Sequence, residues 1–205
     1  MSAVQAKSGS GRKVPTAVEG RERALGTTGR SAAGTKWELM FEPKRIEPGP
    51  GQESVWDYPR PPRIEPCRRL VTVKFAGRDL ARSDRALRVL ETAGAPTIYV
   101  PAADIDMEML RPSAGSGTWC EWKGAAAYFD LVAGDRVGEK AAWTYPSPTP
   151  KFKALSDHVS FYPARTEGCY LDDELVTPQP GRFYGGWVTK DIVGPIKGEP
   201  GSLLW

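Results

Sequence analysis

Histidine occurs once in the 205 residues, as His158, and cysteine three times, as Cys67, Cys120 and Cys169. No two cysteines are close in sequence, so the Cys-x-x-Cys pairs that structural zinc sites favour are missing. A Cys67, Cys120, Cys169 and His158 set would have to be assembled from four distant points, each adding ordering cost. The expectation is therefore no metal and no cofactor. An odd number of scattered thiols fits a reducing cytoplasm better than a disulfide framework. No apolar run approaches the roughly eighteen residues of a membrane-spanning helix. The N-terminus also lacks the apolar stretch of a secretory signal. Cytoplasmic location without membrane contact is the expectation. Charge of one sign is scarce too: Lys and Arg number 28 against 25 acidic residues, a net charge of +3. Residues 1–36 hold seven basic side chains against two acidic ones, so the remainder is slightly acidic. A nucleic-acid-binding fold would show a basic face, so the core is not expected to bind nucleic acid.

What is present is glycine (22) and proline (19), the composition of strands and turns rather than helices. Four segments are expected. Residues 1–36, without hydrophobic periodicity, read as a disordered basic tail. Residues 37–67 read as a Pro-rich extended arm anchored by rings such as Trp56 and Tyr58. Residues 68–178 form the core domain, and 179–205 a Gly- and Pro-rich C-terminal arm that packs back on it. Within the core, Val71, Val73 and Phe75 alternate as in a strand, and Ala76-Gly77-Arg78 turns it. Segments 85–91, 97–100, 158–162 and 167–171 also read as strands. Asp104 to Leu110 is the best helix candidate, with Asp104 as its cap. Asp172-Asp173-Glu174 reads as a solvated turn.

The chain is organised around Thr118 to Gly124. Two tryptophans, a cysteine and a lysine lie within Trp119-Cys120-Glu121-Trp122-Lys123. Read as one strand continuing to Val132, it turns at Gly134-Asp135 and returns through Trp143 and Tyr145. Cys120, Trp122 and Tyr128 would share a face of the first strand, and Trp143 and Tyr145 a face of the second. Rings so arranged form either core or the wall of a pocket, with Lys123, Arg111, Glu91 or His158 as polar heads. A thiolate nucleophile needs a base or a cation, which His158 and Lys123 could supply to Cys120. In an unbulged strand, however, Cys120 and Lys123 point to opposite faces. Asp104-Ile105-Asp106 is the one Asp-x-Asp that could hold Mg²⁺ for phosphoryl chemistry, but the Gly/Ser-rich Ser113 to Gly117 matches no phosphate loop.

At Cys120-Glu121-Trp122-Lys123-Gly124, Ala142-Trp143-Thr144-Tyr145-Pro146-Ser147-Pro148 and His158-Val159-Ser160-Phe161-Tyr162, the sequence resembles a bacterial family. It is domain-of-unknown-function family four-twenty-seven, also catalogued as a putative nucleotidyltransferase group. The likeness spans roughly 68–178, and Trp56 to Pro66 with Phe183-Tyr184-Gly185-Gly186-Trp187 resemble its longer actinobacterial-type members. The resemblance implies an all-β, β-tent-like fold, two antiparallel sheets leaning together, with one short helix and irregular N- and C-terminal arms. Relatives of that fold bind ligands between their sheets.

Two functions are expected from these residues. The first is a cytoplasmic domain that binds a small molecule through Glu91, Arg111, Trp122, Tyr128, Trp143 and Tyr145. The alternative is an enzyme using Cys120, Lys123 and His158 or, by the family label alone, nucleotidyl transfer. Deleting residues 1–36 is expected to leave the melting temperature within about 2 °C, because such a segment buries almost no apolar surface. A larger drop in a thermal melt would mean that the tail docks.

Overall fold

A computed structural model describes residues 43–202. Its strands, in chain order, are β1 (Glu53–Ser54), β2 (Arg63–Pro66), β3 (Val71–Phe75), β4 (Arg78–Ser83), β5 (Leu87–Leu90) and β6 (Thr97–Pro101). They continue with β7 (Leu110–Pro112), β8 (Thr118–Cys120), β9 (Gly124–Ala133), β10 (Arg136–Thr144) and β11 (His158–Phe161). The last are β12 (Gly168–Leu171), β13 (Glu174–Leu175), β14 (Thr177–Pro178), β15 (Trp187–Val188) and β16 (Ile192–Val193). One sheet runs β2-β5-β6-β11-β10-β9-β7, with β8 also paired to β9, and a smaller one runs β13-β12-β3-β4. Every pairing in both is antiparallel.

The two sheets share one core. Val71, Val73 and Phe75 of the smaller sheet pack with Val100, Val159, Phe161, Ala142 and Leu131 of the larger. This is the all-β, two-sheet arrangement expected. The turns follow their sequence signals. Ala76 and Gly77 take φ of +53° and +71°, the double positive of a tight hairpin turn. Gly134 takes φ +58° between the paired Ala133 and Arg136. Pro66 ends β2, which has a partner on one side only, where a missing N–H costs no ladder bond.

Chain on both sides of the two sheets contributes to burial. Val55, Tyr58, Leu90, Ala95, Ile192 and Ile196 form a separate buried cluster, and β1 pairs in parallel with β16. Trp187 is buried in the main core, and its indole N–H donates to the Phe161 carbonyl at 3.1 Å.

Two local expectations change. Asp104 to Leu110 is helical only as single 3-10 turns at Ala102–Asp104 and Met107–Met109. The backbone between them turns to a neighbour instead: Asp106 N–H donates to the Leu80 carbonyl at 2.9 Å, and Ile105 bridges to Ala81. Asp104 caps nothing; its carboxylate accepts from Ser83 and Arg85. The six-residue segment Pro150–Leu155, opened by proline, is the longest helical piece among the described residues. Second, Trp119 to Val132 is not one strand. The chain reverses at Glu121–Lys123, so that β8 folds back on β9 with Cys120 opposite Gly124.

The acidic turn after β12 is more than solvated surface. Arg69 donates to Asp172 at 2.9 Å and to Glu174 at 2.8 Å, and lies 3.6 Å from Asp191. It ties the start of β3 to the turn and to the C-terminal segment. The Arg69 guanidinium, with the Leu70 N–H, lowers the Asp172 pKa. Partial burial opposes the same effect at Glu174, but the Lys190 N–H and Arg69 still hold its pKa low. Carboxyls depressed in the folded state contribute stability above their unfolded pKa, near 4, and lose it as pH falls through the folded value. Arg69→Met is therefore expected to lower the melting temperature by a few degrees at about pH 7. The difference from the parent should shrink as pH falls through the folded-state values and both carboxyls take up protons. A deficit independent of pH in parallel thermal melts would assign Arg69 to packing alone.

Candidate functional site

The large sheet is apolar on both faces, and only one lies against the small sheet. Register puts Tyr128, Trp143, Ser160 and Tyr99 side by side across β9, β10, β11 and β6, so all four project from the same face. That face belongs to a second buried cluster of Val89, Tyr99, Ala126, Trp143, Tyr145, Phe152, Leu155 and Tyr162. The rings therefore lie on the far side of the sheet, not between the two sheets as the fold resemblance suggested. Trp143 is 4.4 Å from Tyr162, centroid to centroid, and meets Tyr99 edge-on at 6.2 Å. Its indole N–H also points at the Tyr99 hydroxyl, 3.3 Å away.

Above these rings opens a cleft of about 530 Å³. Tyr99, Tyr128, Trp143, Tyr145 and Tyr162 line its base. The β8 strand and the turn that follows contribute Thr118 through Lys123. Phe183, Tyr184, Gly185 and Lys197 come from the C-terminal segment, and Glu91 and Thr97 complete the rim. Trp119 and Phe183 are largely solvent-exposed, at 74% and 71%, an unusual state for such large rings.

The reversal at Glu121–Lys123 brings Cys120 and Lys123 into this cleft together. Gly124 permits it with φ +101°. Thr149 clamps the turn: its hydroxyl donates to the Trp122 carbonyl at 2.6 Å and its N–H to the Lys123 carbonyl at 3.1 Å. Gly117 lets β8 approach β9, since a Cβ there would stand 1.9 Å from the Ala126 carbonyl oxygen. The Lys123 side chain is folded inward, only 9% of the residue being exposed. Its ammonium stands 5.9 Å from the ring centres of both Tyr145 and Phe152.

Of the residues expected at a site, Glu91, Cys120, Trp122, Lys123, Tyr128, Trp143 and Tyr145 line one cleft. Arg111 and His158 do not. Arg111 is exposed on β7. His158 begins β11 opposite Pro101, and its Nδ1 is 2.8 Å from the Ser156 carbonyl oxygen. Sequence reasoning missed Tyr99, Tyr162, Phe183 and Tyr184. The strand period placed the first, but nothing local linked it to Trp143. Gly185 was missed as well: a Cβ there would stand 2.2 Å from the Trp143 ring, so the C-terminal backbone lies directly against that indole.

Burial raises the pKa of Tyr99, Tyr145 and Tyr162. At Tyr145 the neighbouring Tyr99 and Cys120 add to the effect, and at Tyr162 Tyr128 does. The phenols therefore stay neutral at physiological pH. Asp104 and Asp106 are engaged with Ser83, Arg85 and Arg78, away from the cleft. No group of three His, Cys, Asp or Glu side chains is placed to hold a metal among the described residues.

Residues 63–172 match a family described as a domain of unknown function, DUF427. The chain belongs to this family. No curated protein matches it. The matched stretch carries the ring-lined base of the cleft and the β8 wall, whereas Phe183, Tyr184, Gly185 and Lys197 lie beyond it. No helix among the described residues is long and apolar enough to cross a membrane.

The three thiols differ. Cys67 and Cys169 are buried and Cys120 is partly exposed. Burial pushes the Cys169 thiol up to about 12 and raises that of Cys67 as well. A raised thiol pKa leaves less thiolate at neutral pH, and only thiolate alkylates readily. Iodoacetamide near pH 7 is therefore expected to modify Cys120 first, with Cys169 reacting only after denaturation. Peptide mapping in which Cys169 of the folded protein keeps pace with Cys120 would contradict this assignment.

Proposed function

We propose that the protein is a small-ligand-binding domain whose ligand lies in the aromatic cleft. The observation that carries this reading is the partition of the rings. Tyr99 and Trp143 are buried, yet their neighbours Trp119, Trp122, Tyr128 and Phe183 remain partly or largely open around a volume fit for a small molecule. Rings that served only as core would be covered by a second layer. Here that layer, the Pro150–Leu155 segment with Phe152 and Leu155, covers only part of the face. Exposed aromatic surface gains most when a flat ligand displaces its water.

Catalysis by Cys120 is the second reading, favoured by one observation: Cys120 and Lys123 share the cleft despite opposite facing in any single strand. His158, tied to Ser156, would have no part in it. Nucleotidyl transfer rests on the family label, and its candidate carboxylates are committed to arginines elsewhere.

Native mass spectrometry of the purified chain is expected to show a bound small molecule. Trp122→Ala and Phe183→Ala, at the rim, should lose that mass with melting temperatures changed by no more than about 3 °C. Trp143→Ala, at the base, should instead cost about 3–5 kcal/mol of stability. Should both rim variants retain the mass, the ligand lies elsewhere and the cleft reading fails.

A further inference from the structure

Several cations around the cleft have no carboxylate partner among the described residues, although many arginines of the fold do. Arg60, Arg63, Arg69, Arg78, Arg85, Arg88 and Arg136 each pair with a carboxylate. Lys123, Lys140, Arg165 and Lys197 pair with none among the described residues. Three of these four stand over tyrosines of the cleft instead: Lys123 over Tyr145 at 5.9 Å, Lys140 over Tyr128 at 5.9 Å and Arg165 over Tyr162 at 4.5 Å. The fourth, Lys197, lines the cleft directly. Two acids also line it. Glu91 faces Arg60 at 3.8 Å, and Glu121 is exposed.

Lys123 is the decisive member. The residue is only 9% exposed and its ammonium stands over ring faces, which replace only part of the hydration lost on burial. The next residue toward the N-terminus adds a second unmet demand: the Trp122 indole N–H is buried without an acceptor. Both groups offer protons, and both belong to residues that line the same cavity. The walls around them are flat rings. An anion is the partner that satisfies a buried cation, and a planar ring is the body that stacks between aromatic faces.

Resting on the cleft reading above, we propose that the ligand is a planar aromatic ring carrying an anionic group, with Lys123 as its counter-ion. Lys140, Arg165 and Lys197 supply a positive approach that draws such an anion in. The tyrosine hydroxyls, neutral at physiological pH, donate to it without repelling it.

Calorimetric titration of the full chain with 2-naphthoate, 2-naphthyl phosphate and the uncharged 2-naphthamide tests this directly. At least one anion is expected to bind about tenfold tighter than the amide at low salt, with the advantage shrinking as ionic strength rises. Lys123→Met should bring the ratio of anion to amide affinity toward one, its fold being checked by the thermal melt. If that variant does not fold, Lys140→Gln combined with Lys197→Gln should reduce the ratio about threefold. Equal binding of all three probes, or a ratio that survives these substitutions, overturns the anion inference and leaves the cleft reading standing. No binding of any probe, together with a purified chain that carries no small molecule, removes both.

Discussion

The large sheet has to be covered on both faces, and the described residues form only one other sheet of more than two strands. Strand β10 states the problem within two residues. Ala142 points into the core shared with the small sheet, and Trp143 points the other way into a cluster of rings. Apolar residues on both sides of a strand demand burial on both sides. The four-stranded sheet supplies one cover. Among the described residues the other is improvised from the Pro150–Leu155 segment, the β8 hairpin and the C-terminal chain, and it leaves a gap. The cleft is the gap that this incomplete cover leaves.

Such an origin explains why the same rings serve packing and exposure at once. Trp143 is nearly buried and hydrogen-bonded to Tyr99, so the base of the cleft is rigid. Trp119 and Phe183, at its mouth, are largely exposed. A base so packed, with open edges, is the arrangement that the proposed stacking of a ligand would need. The close approach of Gly185 to the Trp143 ring couples the C-terminal wall to that base.

The family match ends at residue 172, before that wall begins. The ring-bearing base thus lies within the matched stretch, while Phe183, Tyr184 and Lys197 lie beyond it. The opposite cluster of Val55, Tyr58, Ile192 and Ile196 fastens the C-terminal chain to the segment that precedes the match.

Alternation at period two made the strands legible in the sequence, and glycine beside small or polar residues marked the hairpin turns at 76–77 and 134–135. The density of rings from Trp119 to Tyr145 marked where the cleft lies, because bulky side chains on paired strands must meet. Three features were decided only in three dimensions. The helix signal at Asp104 to Leu110 lost to β4, whose Leu80 carbonyl takes the Asp106 N–H that a helix would have used. The reversal at Glu121–Lys123 depends on the positive φ of Gly124 and on Thr149, a clamp more than twenty residues away. It is this reversal, not local spacing, that puts Lys123 beside Cys120. Sheet order then places β10 and β9 between β11 and β8, separating His158 from that pair. Side-chain period is a local property and can be read along the chain. Which strands are neighbours, and which face is left uncovered, is set by long-range pairing that no short window of sequence contains.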